Sequence, residues 1–335
     1  MTLFTFKCPN CSSEDVRSDY AYNTISNGSR QMYLCRECKS SFSETKTTFL
    51  QGIRTSVSTI SKVLNARTEG TSLNATCRIF GIAKNTLLSW ERKFSDLYHT
   101  LLIYSMAHTF IRSVIEGDEF YTKVKKNVPA EESFGWTIVL MDRASRFIWE
   151  LSCGKKDREL FEKAIRMLAE LIDLTGDITL LTDGERRYGK ILFEICHELL
   201  RTGKPGRPRK TLKKGVTVRV KNKGSQAHKK GRKKPKYQTT CPQHPETSNN
   251  ISDAETHANH VEANNSAMRR KCSTYRRKTN TYAKSVTGLQ RVLNVYWVIH
   301  NFVRVHFTTK KVPAVSLGVI ESRLTFEKLF CIQCI

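Results

Sequence analysis

The chain has 335 residues, enough for more than one domain and a sizeable core. Lysine and arginine number 56 against 31 aspartate and glutamate, and the net charge of +25 points to a polyanionic partner, by default nucleic acid. The absence of any run of about 18 apolar residues argues against a helical membrane span, and the opening residues 1–7 do not read as a secretory leader.

Four of the eleven cysteines fall in two Cys-x2-Cys pairs near the N-terminus, and most of the others are scattered singly. That pattern suits a reducing compartment with a metal site, here the cytoplasm, better than a disulfide framework. Cys8-Pro-Asn-Cys11 and Cys35-Arg-Glu-Cys38 are separated by 23 residues. Each knuckle puts two thiolates on one side of a short loop, and two knuckles complete a tetrahedral S4 set with no position left open for catalysis. Structural zinc is the expectation, in a ribbon over residues 1–50 whose hairpin turns at Asn27-Gly28.

Residues 51–100 read as a helix-turn-helix. Val57, Ile60, Val63 and Leu64 repeat at helical spacing. A further helix ends at Gly81, and another begins near Lys84. The last helix buries Leu87, Leu88 and Trp90 and leaves Lys84, Asn85, Ser89, Arg92 and Lys93 to face DNA.

Beyond it, residues 111–124 predict a strand and residues 134–141 and 146–151 a hairpin. Residues 157–174 follow as an amphipathic helix, 178–181 as a buried strand and 188–200 as another helix. The order strand, strand, strand, helix, strand, helix implies a mixed α/β sheet whose last strand joins in parallel by a crossover, and it resembles the RNase H-like fold. That fold sets its first strand beside the strand after its first helix, each presenting an acid. Asp118 and Asp183 fall at those places, with Glu116 and Glu119 as rivals for the first and a helix N-cap as the plainer role for the second. Carboxylates so close suit a pair of divalent cations. Asp142 reads as a turn residue.

From residue 201 to 236 there are 16 lysines and arginines and no acid. Within this basic insertion, taken as 201–255, only 216–220 predicts a strand, the fifth of the sheet. Arg207, Arg209 and Lys210 sit in a Gly-Arg-Pro context suited to a narrow minor groove, and the charge run implies phosphate contact with a steep salt dependence. Residues 256–271 predict a helix on which Glu262 and Arg269, seven apart, share a face, with His257 and His260 on the adjacent turns. Arg276, Arg277 and Lys278 continue the basic surface, and residues 289–307 predict an apolar helix packed on the sheet.

Taken together these motifs resemble the bacterial insertion-sequence transposases of the DDE, RNase H-like superfamily, most closely the Insertion Sequence One type. The resemblance rests on the four-cysteine ribbon, the helix-turn-helix ending at Trp90, Gly117-Asp-Glu-Phe120, Leu181-Thr-Asp-Gly184 and the run from Lys221 to Gln226. It continues through His257-Ala-Asn-His-Val-Glu262, the basic run from Arg276 to Lys284 and the closing His300–His306 segment. It implies a DDE triad of Asp118, Asp183 and Glu262, with Arg269 as a basic residue beyond the glutamate. It also implies catalytic Mg²⁺ or Mn²⁺, cleavage of double-stranded DNA at inverted-repeat ends, and transfer of the freed 3′-hydroxyl into target DNA. Two ends must be brought together, so a homo-oligomeric synaptic complex is expected. The catalytic domain would span 101–310. Residues 311–335 form a tail in which 317–329 predict a short helix and Cys331-Ile-Gln-Cys334 has no partner pair.

Overall fold

The computed structural model describes residues 6–109, 113–126, 128–182, 184–201, 203, 205–220, 241–242 and 255–334. At the N-terminus β1 (Val16–Thr24), β2 (Gly28–Cys35) and β3 (Ser41–Ser43) form an antiparallel sheet in that order. Among the described residues its own buried core is Cys8, Cys35 and Phe42, with Phe6, Val16 and Tyr33 against them.

Helix α1 (Val57–Thr68) is capped by Ser56, and α2 (Leu73–Phe80) by Ser72. Gly81 closes α2 at φ +65, the left-handed conformation that a tight turn into the next helix requires. Helix α3 (Lys84–Ala107) buries Leu87, Trp90, Phe94, Leu97 and Leu101, a stripe at the helical repeat. It runs unbroken through position 100, where the sequence suggested a boundary, and the helices and the central sheet share one apolar core.

The elements expected over 101–310 appear largely as predicted. They are β4 (Ser113–Tyr121), β5 (Trp136–Asp142), β6 (Ile148–Gly154), α4 (Arg158–Thr175), β7 (Ile178–Thr182) and α5 (Arg187–Ile195). Then follow β8 (His197–Leu200), β9 (Arg209–Leu212), β10 (Val216–Val220), the two-residue β11 (Cys241–Pro242), α6 (Asn259–Lys271) and α7 (Val286–Phe302). The mixed sheet has the order β11-β10-β7-β4-β5-β6. Strands β4, β5 and β6 are antiparallel neighbours, whereas β7 joins β4 in parallel and β10 joins β7 in parallel. The strand predicted over 216–220 is therefore the fifth long strand.

Helix α7 covers the edge strand β6 with side-chain amides instead of a seventh strand. Asn301 accepts from the Ile148 amide at 3.0 Å and donates to its carbonyl at 2.9 Å. Gln290 does the same for Cys153 and Leu151, at 3.0 and 2.9 Å. An exposed row of backbone groups is thereby satisfied.

Two predicted helices differ. The one expected over 188–200 stops at Ile195, and His197–Leu200 pairs instead with β9, which lies in the basic insertion. Its apolar residues Leu199 and Leu200 are half exposed, so the backbone pairing with a distant segment, invisible to local periodicity, decides the conformation. The helix expected over 317–329 forms only at its end: α8 (Pro313–Ser316) stops before it, Gly318 follows at φ +85, and α9 (Phe326–Phe330) alone overlaps it. The tail packs back on the N-terminal half. Phe330 stacks on Phe49 with ring centroids 4.2 Å apart, and the Cys334 amide donates to the Thr47 carbonyl at 3.0 Å.

Candidate functional site

The four ribbon cysteines converge. Cys8 and Cys38 Sγ are 3.5 Å apart, Cys11 and Cys35 Sγ are 3.6 Å apart, and all four lie within 4.8 Å of one another. A tetrahedral S4 site with bonds of about 2.3 Å needs sulfur separations of about 3.8 Å, so the set fits and could hold zinc. The two knuckles have the same shape. The Ser12 amide donates to the Cys8 carbonyl at 2.9 Å and the Lys39 amide to the Cys35 carbonyl at 3.1 Å, with Ser12 and Lys39 both at φ 60. Burial raises the Cys8 thiol, but hydrogen bonds from Ser40 and from the Asn10 and Cys11 amides outweigh it and lower the thiol, while burial and neighbouring thiols raise Cys11, so these thiols titrate as one coupled set.

The second constellation lies between β4 and α6. Alternation along β4 sorts its acids. Glu119 turns one way, accepting from Lys156 at 2.7 Å and from the Tyr188 hydroxyl at 3.4 Å. Glu116 and Asp118 turn the other way, toward α6. Glu116 is fully buried and accepts from the His260 and Val261 amides, both at 3.0 Å, from His260 Nδ1 at 2.7 Å and from Arg143 Nε at 2.7 Å. Asp118 is half-buried and its Oδ2 accepts from the Asn265 side-chain amide at 2.8 Å. Glu116 and Glu119 thus each face a cation, Arg143 and Lys156, while Asp118 faces α6 and accepts from the Asn265 amide.

In the parallel pairing of β4 with β7, Gly117 stands opposite Thr182. Asp183 lies outside the described residues. Glu262 occupies the first turn of α6 and Arg269 its last, both half-buried. Residues 262, 265 and 269 fall on one flank of the helix, since steps of three and four return to nearly the same angle. The Arg269 guanidinium stands 5.4 Å from the Phe120 ring centroid. Burial, reinforced by Arg277, pulls Arg269 below its ordinary range, and the charge of Asp118 opposes this. Asn265 is 2 % exposed and its Oδ1 has no hydrogen-bond partner among the described residues. A carboxylate and an orphaned amide oxygen in the same place are hard oxygen donors, the kind that Mg²⁺ takes. Asp142, as expected, holds its turn, accepting from the Ser145 amide and hydroxyl at 2.7 and 2.6 Å.

Glu116, His257 and His260 bring three donor atoms within 4.8 Å of one another, a group that could hold a metal by geometry alone. Sequence reasoning missed the roles of Glu116, Arg143 and Asn265. Asn265 was discoverable, because it sits between Glu262 and Arg269 on the flank their spacing defines.

Of the residues expected to face DNA, Lys84, Asn85 and Arg92 on α3 are exposed, as are Arg207, Arg209 and Lys210 and the cluster Arg276, Arg277 and Lys278. Lys93 is half-buried and donates to the Gln51 carbonyl, so its ammonium is engaged within the protein. Residues 221–240 and 243–254 of the basic insertion lie outside the described residues. Among the described residues no helix is long and apolar enough to cross a membrane. No protein-family model and no curated protein matches the chain.

Proposed function

We propose that this chain is a DDE transposase with an RNase H-like core, which binds the inverted-repeat ends of its element, cleaves DNA there and joins the 3′-hydroxyl to target DNA. The observation that carries the reading is the pairing of β4 with β7 beneath α6. The first strand and the strand after the first helix lie side by side in parallel, the arrangement expected of that fold. Gly117 is in register with Thr182, and the next residues in sequence are Asp118 and Asp183. Over β4 lies the helix carrying Glu262, joined to Asp118 through Asn265.

Asp118, Asp183 and Glu262 would hold Mg²⁺ or Mn²⁺. When bound, such cations activate the attacking oxygen and stabilise the leaving one. The chain's own residues position and neutralise. Asn265 fixes the orientation of the Asp118 carboxylate, and Arg269, on the same flank as Glu262, meets a DNA phosphate. The ribbon takes structural zinc. Lys84, Asn85 and Arg92 read the element's end, and Arg207, Arg209, Lys210 and Arg276–Lys278 grip phosphates in a synaptic complex of two or more copies.

The test is a strand-transfer assay on labelled DNA from the element's ends in Mg²⁺ or Mn²⁺. Wild type yields nicked and joined products, and Glu262→Gln loses both while still binding the ends. Full activity in Glu262→Gln overturns the site. Nicks without joined products would leave a nuclease of the same fold, and binding without cleavage would leave a DNA-binding regulator.

A further inference from the structure

Glu116 is conspicuous because a fully buried carboxylate two residues before Asp118 has four donors of its own. Helix α6 has Ala258 at its N-cap and so no side-chain cap, and its first amides need an acceptor from elsewhere. Glu116 supplies it, taking the His260 and Val261 amides on one oxygen. Its other oxygen receives His260 Nδ1 and Arg143 Nε, each at 2.7 Å. Arg143, from the turn after β5, also donates to the carbonyls of Glu255 and His257 at 2.8 and 2.6 Å, and so ties down the segment leading into the helix.

The contacts between strand and helix are commensurate. Glu116, Asp118 and Phe120 meet α6 at residues 260–261, 265 and 269. Each two-residue step on the strand advances about 6.6 Å, and the matching helical steps of four to five residues advance about 6–7.5 Å. The helix therefore lies along β4 with one turn per inward side chain, and its axial position is set at the end where the bonds are charge-assisted.

We propose that Glu116, clamped by Arg143, is a positioning residue that fixes α6 along β4 and so holds Glu262 and Arg269 in phase with Asp118. This rests on reading Asp118 and Glu262 as members of one cation site. It also accounts for the Glu116, His257 and His260 group without a metal, because the Arg143 guanidinium already provides the cation, 2.7 Å from Glu116 and 3.4 Å from His257 Nδ1.

The test uses the full zinc-loaded chain and its Glu116→Ala, Glu116→Gln and Glu262→Gln variants. Hydrogen exchange over 257–268 and Mn²⁺ binding by electron paramagnetic resonance are measured beside DNA cleavage. In Glu116→Ala, exchange over 257–268 should rise about a hundredfold or more, the loss of two charge-assisted bonds, while α3 and α7 stay protected. Mn²⁺ affinity should fall by about tenfold or more. Cleavage should lose kcat while KM for end DNA holds within about twofold, the signature of a misplaced site and not of lost DNA binding. Glu116→Gln keeps an acceptor for the amides but loses the charge facing Arg143, and should fall between. If Glu116→Ala unfolds generally, Glu116→Gln decides. Wild-type exchange and Mn²⁺ binding in the decisive variant overturn the proposal. So does Mn²⁺ binding lost in Glu116→Ala but kept in Glu262→Gln, which would put the cation on Glu116 itself. If even the wild type neither cuts nor joins DNA, the transposase reading fails, and exchange and Mn²⁺ binding still decide this one.

Discussion

Glu91 is the most consequential buried charge outside the β4–α6 site. Only 2 % exposed, it accepts from Arg67 Nε at 2.7 Å and from Arg291 Nε at 3.4 Å, so it joins α1, α3 and α7. The Arg67 side chain is 7 % exposed and the Arg291 side chain 20 %. Glu91→Ala would leave the Arg67 guanidinium buried with its counter-charge gone, held then by the Thr71 carbonyl at 2.5 Å. Breaking one side of a buried pair costs about 3–5 kcal/mol, mostly the desolvation of the charge left behind. Arg291 can turn toward solvent, which places the expected loss near the lower end, about 3 kcal/mol. At about 2 °C per kcal/mol the thermal midpoint should fall by roughly 6 °C. Hydrogen exchange should locate the loosening in α1 and the first half of α3. The double variant Arg67→Met with Glu91→Leu removes both charges and should recover most of the loss. A loss below about 1 kcal/mol, or a double variant no better than the single one, would refute the claim that an unpaired buried charge sets the cost.

Three further outcomes are expected. Chelation, or Cys35→Ser, should release about one zinc per chain and unfold the ribbon while the central sheet stays protected, because the ribbon's own core is three residues and the metal supplies about 10–16 kcal/mol. A ribbon that keeps its exchange protection without metal would contradict this. Replacing exposed Arg276, Arg277 and Lys278 by alanine should lower the slope of log affinity for DNA against log salt by up to about 2.7, at about 0.9 for each phosphate no longer neutralised; an unchanged slope removes the cluster from the interface. His300 is buried with Nε2 donating to the Arg146 carbonyl at 2.9 Å, and burial depresses it from 6.5 to about 3. Its unfolded form binds a proton between those values and its folded form does not. Its contribution is therefore complete above pH 6.5 and drains away as pH falls toward about 3, at up to about 1.4 kcal/mol per unit. His300→Gln should flatten that part of the acid-unfolding curve.

The readable parts of this fold are those whose signal is local. The Cys8–Cys38 spacing, the break at Gly81 and the stripe on α4 each specify their element from nearby residues. The element order was legible from local patterns, whereas the adjacency of β4 and β7 was expected only through the resemblance to the RNase H-like fold. What escaped depends on distant partners. His197–Leu200 is a strand because Arg209–Leu212 pairs with it. Glu116 could not be told from Asp118 as a ligand, because its role is set by the end of a helix 144 residues away in sequence. Arg143 and Asn265 were hidden for the same reason, although the flank defined by Glu262 and Arg269 did contain Asn265. Helical phase alone puts Lys93 on the face expected to meet DNA, and only the packed position of Gln51 shows where its ammonium goes.

How the three-helix segment α1–α3 is held against the half that carries the mixed sheet can be weighed with two glycines. Gly70, between α1 and α2, has φ +90, and a Cβ there would stand 2.5 Å from the Arg270 carbonyl oxygen and 2.5 Å from Arg276 Nη2. Gly81, after α2, has φ +65 and open space where its Cβ would lie. Alanine at either position carries the left-handed backbone penalty of about 1–2 kcal/mol, partly offset by about 0.4–1 kcal/mol from the stiffer unfolded chain. Only Gly70→Ala adds a collision with backbone in the last turn of α6. The Arg276 guanidinium can swing aside, but the Arg270 carbonyl cannot move without shifting the helix that carries Glu262. Gly81→Ala should therefore cost about 1 kcal/mol. Gly70→Ala should cost about 1–3 kcal/mol more, the range for overpacking, and speed exchange at the C-terminal end of α6. Equal losses in the two variants would show that the turn at Gly70 does not bear on α6. The neighbouring bond from Arg304 to the Thr68 carbonyl, at 3.2 Å, would then be left to hold the two halves together at this point.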